Sequence, residues 1–417
     1  MYLSLVLIQL LPELLFGFQF KHSFKIKNIN LYTNNPTYND FFIENNCIND
    51  TQNILYQFGA FPRLEGPNLN GELTWYPIGF PHEFSSIKST KVTIRDINYI
   101  VWRDSIGYYG IRDACSHQGA SFEGGCINKN TVTCPYHGYK FNGQNGSLVD
   151  IPDLDLDIDK YSFHNIESFK VVEKSGIIYM NTVPLNNNTE QINENLIWVE
   201  PEATDINNKP VFLSEYFEHN AKFVSVNSLD ICHIGFVHTF GNKKNPNPVL
   251  NSKIEKIDDS IHHYKISYDY LAGSNSLVNK VYKFNKITVE NEYVLPHTTV
   301  ARVIFGDFKS TIITVAQPIS KFKTRLFVKA YRSYWYYDLK SKPFILQPFY
   351  QGINILGNII THNTMFTTLK QDKYIVDKID KTSYKTMHGK FSIKYDMMST
   401  HYKNNYKKFF EYSEFNF

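Results

Sequence analysis

The stretch Cys115–His137 reads CSHQGASFEGGCINKNTVTCPYH and holds two short Cys–His pairs, Cys115-Ser-His117 and Cys134-Pro-Tyr-His137. Sixteen residues separate His117 from Cys134. Thiolates are soft ligands that suit iron–sulfur clusters, and imidazole suits iron. The order of the ligands discriminates between metals. A zinc finger presents two Cys and then two His, whereas each loop here offers one of each. That is what two loops need in order to clasp a [2Fe–2S] cluster, one iron taking both thiolates and the other both imidazoles. Gly119, Gly124 and Gly125 allow tight turns around such a cluster, and Gly138 with the run to Gly146 supplies hairpin-type turn chemistry. A structural zinc site is the bland alternative. Cys126 lies inside the stretch without a His partner and reads as an ordinary small residue.

Further residues flank this motif in a recognisable way: Trp75-Tyr-Pro-Ile-Gly79, Val101-Trp-Arg-Asp104, Ile111-Arg-Asp-Ala-Cys115, Pro135–Phe141 and Gly146–Pro152. Together with the two loops they resemble the oxygenase component of the Rieske-type non-haem iron oxygenases, over about Glu72 to Phe410. The resemblance is closer to the single-component, monooxygenase-like branch of plants, algae and cyanobacteria. It implies an α+β chain: an all-β Rieske [2Fe–2S] domain over 72–184, a linker over 185–209, and a helix-grip catalytic domain of antiparallel sheet and helices over 210–417. It also implies dioxygen as co-substrate, an apolar organic substrate and electrons from an external ferredoxin or reductase.

A second metal motif follows, Asn227-Ser-Leu-Asp230-Ile-Cys-His233-Ile-Gly-Phe-Val-His238. Neighbours on one helical face lie three or four apart, so a His–His spacing of five needs a local break, and Gly235 permits one. Two imidazoles and a carboxylate make the facial triad of a non-haem Fe(II) oxygenase, with positions open for dioxygen. Two His near a Gly would by themselves more often be core or surface residues. The stretch resembles the family's Asn-x2-Asp-x2-His-x4-His signature. The third ligand is expected from Asp372, in Gln371-Asp-Lys-Tyr-Ile-Val-Asp377, with Asp377 the nearest rival and Asp380 the next. The resemblance further implies that Asp230 bridges His233 to a Rieske His, usually His137, of a neighbouring subunit, which would make the protein a homotrimer. Asn227 is expected to support the iron without ligating it.

The remaining sequence sets bounds. Its 417 residues suggest two to three domains. A net charge of +3, with no basic run interleaved with aromatics, sets nucleic-acid binding aside. No Gly-rich dinucleotide fingerprint is present. Of the five Cys, two are claimed by the cluster, and Cys47, Cys126 and Cys232 show no paired spacing, which fits a reducing, intracellular setting. Met1–Phe20 is apolar but interrupted by Gln9, Pro12 and Glu13, and the following residues to Asn39 are basic and acid-free. This 1–71 arm reads as plastid targeting, a membrane-surface anchor or an irregular extension. Strand-like runs are expected at Lys91–Ile94, Tyr99–Trp102, Tyr108–Ile111, Thr131–Cys134 and Ile177–Met180. In the second half they are expected at His262–Tyr270, Asn279–Phe284, Glu290–Leu295, Thr299–Ile304, Thr311–Val315 and Arg325–Tyr331. Helical character is expected over Phe217–His238, Ile345–Phe366 and Asp372–Asp380. The alternative function is a non-catalytic Rieske electron-transfer or redox-sensing protein.

Overall fold

The structure, a computed structural model, describes residues 74–152, 164–185, 192–205, 209–381 and 393–410. All of them fall in one compact unit, Gly59–Phe417. Cys47 and the apolar and basic arm lie outside the described residues.

Alternating apolar runs separated by Gly, Asn and Asp produce antiparallel sheets. Six strands pair in the order Trp75–Gly79, Ile177–Pro184, Ser168–Lys174, Tyr108–Arg112, Ile97–Arg103, Thr90–Ile94. A second, four-stranded sheet is a simple meander of Ile127–Asn128, Thr131–Thr133, Lys140–Asn142 and Leu148–Asp150. Trp102, Tyr109, Phe122, Phe141 and Cys134 form one core between these two sheets. The Cys–His loops project from that core.

The second half wraps an eight-stranded sheet, ordered Val211–Phe217, Lys323–Arg332, Phe308–Ser320, Thr298–Phe305, Lys286–Val294, His263–Leu271, Val249–Leu250, with Glu255–Asp258 also paired to His263–Leu271. Five α-helices accompany it among the described residues: α1 (Ala221–Leu229), α2 (His233–Val237), α3 (Leu277–Tyr282), α4 (Gln347–Val376) and α5 (Met397–Phe409). Two sequence expectations are corrected here. Asn279–Phe284 is not a strand, because Ser276 accepts a bond from the Asn279 N–H at 3.1 Å and starts α3 instead. Phe217–His238 is not one helix: Phe217 ends a strand, and Asn220 caps α1 by accepting from the Phe223 N–H at 2.8 Å.

The six-stranded and eight-stranded sheets share a core. Trp75, Phe80, Ile177 and Tyr179 pack with Val300, Ile313, Val315, Phe327 and Tyr331. Two ion pairs add to it: half-buried Glu83 grips Arg325 through two bonds of 2.7 and 2.8 Å, and buried Glu200 takes Lys329 at 2.7 Å and the Tyr331 hydroxyl at 2.6 Å. The described end of the 185–209 stretch is thus pinned to the sheet by Ile192, Ile197 and Glu200, all buried. A cavity of about 90 Å³ at this junction, lined by Trp75, Tyr179, Trp198, His262 and His297, holds none of the predicted ligands. It is smaller than the ~300 Å³ an organic substrate needs.

Candidate metal centres

Both Cys–His loops are built on one backbone mould. The Gly119 N–H donates to the Cys115 carbonyl at 2.7 Å, and the Cys115 N–H to the Ala120 carbonyl at 2.9 Å. In the second loop Gly138 N–H donates to the Cys134 carbonyl at 3.0 Å, and Cys134 N–H to the Tyr139 carbonyl at 2.7 Å. Each glycine has positive φ, 73° and 77°, which is why glycine stands at both positions. The two moulds bring Cys115 and Cys134 together, both buried, and hold the His117 and His137 rings 4.7 Å apart on the exposed side. Tyr139 stacks on His117 at 4.6 Å, and Tyr136 lies 3.7 Å from His137. Burial pushes the Cys115 thiol up to about 11, and the neighbouring Cys134 adds to the shift. Two buried thiols in contact become thiolates readily only against a metal. The donor set therefore fits a cluster bound by two sulfurs inside and two imidazoles outside. Cys126 is exposed and takes no part.

Residues 74–169 match the family of the Rieske [2Fe-2S] domain. This chain carries a Rieske domain. It is related to the Rieske-type oxygenases: it is 26% identical to cholesterol 7-desaturase of Hemicentrotus pulcherrimus over 187 residues, 39% of this chain and 36% of that one. It is 28% identical to the terminal oxygenase component of carbazole 1,9a-dioxygenase of a Sphingomonas species over 110 residues, 25% of this chain and 28% of that one. The matched stretch thus spans about a third of the length of these curated relatives. The fold match runs further. The crystal structure of dicamba monooxygenase bound to dicamba superposes with a TM-score of 0.64 at 17% identity, covering 81% of this chain and 97% of that one. The α+β arrangement of a Rieske domain followed by a sheet-and-helix domain is therefore the Rieske-oxygenase fold.

A second centre is built where α2 meets α4. His233, His238 and Asp372 are the group among the described residues whose ligand atoms converge on one point. His233 Nε2 lies 3.2 Å from His238 Nε2 and 3.4 Å from Asp372 Oδ1, and His238 Nε2 lies 3.5 Å from Asp372 Oδ1. Donors about 2.1 Å from a common metal stand about 3.0 Å apart on an octahedral face and about 3.4 Å apart on a tetrahedron, so the triangle has the size of a coordination face. The tautomers agree. His233 Nδ1 faces the main-chain carbonyl of Asp230 at 2.7 Å, and His238 Nδ1 faces Gln371 Oε1 at 3.1 Å. Carbonyl oxygens only accept, so each Nδ1 carries the proton and each Nε2 turns a lone pair inward. Asp372 Oδ1 is buried without a hydrogen-bond partner. Three lone-pair donors facing one another, one of them an orphaned carboxylate oxygen, fit a cation and little else. Burial disfavours charge on both rings. On His233 the Asp372 carboxylate outweighs it and raises the pKa, while on His238 burial prevails and the pKa is lowered.

The five-residue spacing arises differently from the expectation. His233 opens α2, and His238 lies just past its end with extended backbone, φ −87° and ψ 140°. Gly235 has no unusual φ. It is needed because a Cβ there would sit 2.6 Å from Pro246 of the following loop. The break between α1 and α2 is at 230–232. Asp230 caps the end of α1, and its Oδ1 then accepts the Cys232 and His233 N–H groups at 2.8 and 3.3 Å, starting α2. The Tyr270 hydroxyl donates to the Ile231 carbonyl and ties the break to the sheet.

Asp377 stays outside the triad. It pairs with Lys373 at 2.7 Å and accepts from the Glu218 N–H at 2.8 Å. The Asn227 side chain makes no hydrogen bond to the triad among the described residues, and its carbonyl accepts from Asp230 N–H. Sequence reasoning missed Gln371, whose amide nitrogen also reaches Thr239 Oγ1 at 3.5 Å. The only signal was its position beside Asp372 on one helix. No helix among the described residues is long and apolar enough to cross a membrane.

Proposed function

We propose that this chain is an oxygenase of the single-component, monooxygenase-like kind. It would use dioxygen and electrons from an external ferredoxin or reductase to hydroxylate, demethylate or ring-open an apolar organic substrate. The observation that carries this reading is the inward-facing His233–His238–Asp372 triangle with its orphaned carboxylate oxygen, in the same chain as a Rieske domain. Bound Fe(II) would supply dioxygen activation, and the cluster would supply single electrons.

The chain's own residues would do the rest. Cys115, Cys134, His117 and His137 would hold the cluster, and His233, His238 and Asp372 the mononuclear iron. The Asp230 carbonyl and Gln371 orient the two imidazoles, which raises their basicity as ligands. Asn227 would stand near the iron as support. We further infer a homotrimer in which Asp230 links His233 to His137 of the partner subunit. The exposure of the His137 ring supports that inference. The apolar N-terminal segment would serve targeting or membrane association, or be an irregular arm, in a protein of a reducing compartment.

The deciding measurement is the ratio of iron to acid-labile sulfide in anaerobically purified protein. About three irons to two sulfides is expected for the wild type. His233→Ala should fall to about two to two, keep the cluster's visible spectrum and lose substrate-dependent oxygen uptake. A wild-type ratio of two to two that added Fe(II) does not change would overturn the proposal.

A further inference from the structure

From Pro343 to Leu369 the chain runs 27 residues without a single Asp, Glu, Lys or Arg. Most of this stretch is the N-terminal two-thirds of α4. Its inner face is accounted for. Gly357, Thr361 and Leu369 are buried, and the Arg332 guanidinium donates to the Asn354 carbonyl at 2.7 Å and to Asn358 Oδ1 at 2.8 Å. The outer face is not polar, as a solvated helix face would be. Phe349, Gly352, Ile355, Ile359, His362 and Phe366 follow at steps of three or four, and all six are exposed. In the turn leading into the helix, Phe344 and Ile345 are 87% and 85% exposed. Side chains of this size standing almost clear of the protein form a patch that a solvated surface does not keep without use.

The charges around it favour one occupant. Lys340 and Lys342 stand at the entry end, beside the most exposed apolar pair, and neither is paired with a carboxylate among the described residues. Lys342 lies over the rings of Tyr337 and Tyr350, 5.5 and 5.2 Å from their centres. No acidic residue occurs between Asp338 and Asp372. Bulky apolar tips, uncharged polar flanks of Asn, Thr and Gln, and lysines beside tyrosine rings are the chemistry of a helix lying in a bilayer interface with anionic lipid. A protein partner would have to offer a groove for two projecting side chains, whereas acyl chains need none. The helix is not apolar enough to cross a membrane, and an interfacial helix needs only one apolar face.

We propose that the outer face of α4, with Phe344 and Ile345, docks on an anionic lipid surface and lets the triad draw its substrate from the lipid phase. The substrate part rests on the oxygenase reading. Asp372 is six residues beyond Phe366, about 9 Å further along the same helix, so the docked face and the metal carboxylate belong to one rigid element.

The test uses the full-length, metal-loaded chain sedimented with phosphatidylcholine vesicles, with and without phosphatidylserine, some carrying a photoreactive acyl chain. The wild type should bind the phosphatidylserine vesicles and be labelled within 343–366. The triple variant Phe344→Ser/Ile345→Ser/Phe349→Ser should bind at least tenfold more weakly. The charge swap Lys340→Glu/Lys342→Glu should weaken binding only where phosphatidylserine is present. Equal binding by the triple variant, or labelling confined to other segments, would overturn the proposal. So would variants that alter self-association by sedimentation velocity while vesicle binding stays unchanged, since the face would then be a protein interface. All variants should keep the wild-type iron-to-sulfide ratio, so failure of docking and failure of the oxygenase reading show up in separate measurements.

Discussion

His238 shows how much of the candidate site depends on residues outside the triangle. Its Nδ1 proton is held by Gln371, whose amide is in turn oriented by Thr239. Gln371→Leu removes the acceptor, frees the ring to rotate or change tautomer, and should weaken Fe(II) binding by about 10- to 100-fold. Gln371→Glu restores an acceptor and should recover most of that loss, as a Fe(II) titration of each variant would show. An affinity for Gln371→Leu equal to the wild type would mean that the triangle is held by packing alone. The three candidate ligands were legible because His, His and Asp are chemically restricted and stand in short motifs. Gln371 was not, because a neutral amide carries no metal-ligand signature of its own. The bond that orients His233 was hidden as well, because it comes from the main chain of Asp230, which no side-chain motif records.

The short helix α2 is the element on which both imidazoles depend. It begins on the Asp230 carboxylate and ends at His238, and the loop through Pro246 closes tightly over Gly235. Gly235→Ala would drive a methyl group to 2.6 Å from Pro246 Cβ and 2.9 Å from its Cα. The loop or the helix must then shift, at a cost of about 1–3 kcal/mol, measurable as a lower urea midpoint together with weakened Fe(II) binding. Unchanged values for both would show that the loop yields freely. The sequence pattern located the helical stretch but merged a strand, two helices and a kink, because hydrophobic periodicity changes little across Phe217–His238. Asn220 and Asp230, the residues that divide it, act through caps. The same blindness to caps turned the helix begun by Ser276 into an expected strand.

At the scale of the whole molecule, the sheets were legible from alternation, and their mutual packing was not. Sequence patterns do not say that Glu83 meets Arg325, or that His297 is buried where the two sheets and the C-terminal helix meet. His297 lies among Tyr76, Tyr406 and Phe410, with Arg95 the nearest charge, and burial together with that guanidinium lowers its pKa to about 3. The folded state thus holds it neutral while the unfolded chain protonates it near 6.5. Its contribution to stability is complete above that value and is lost as the pH falls from about 6.5 towards 3. His297→Phe keeps the ring contacts and removes the proton, so its urea midpoint should fall less between pH 7 and pH 4 than that of the wild type. Parallel pH profiles would show that the ring is not the group responsible. The placement of the triad has one more consequence. The two imidazoles stand at the start and just past the end of α2, tied to the sheet through Tyr270, while the carboxylate rides on α4, anchored at its far end by Arg332. An ion held by this triangle would therefore be a rivet between two separately mounted plates. Its release would require only that the plates slide apart, which would leave the surrounding sheet folded.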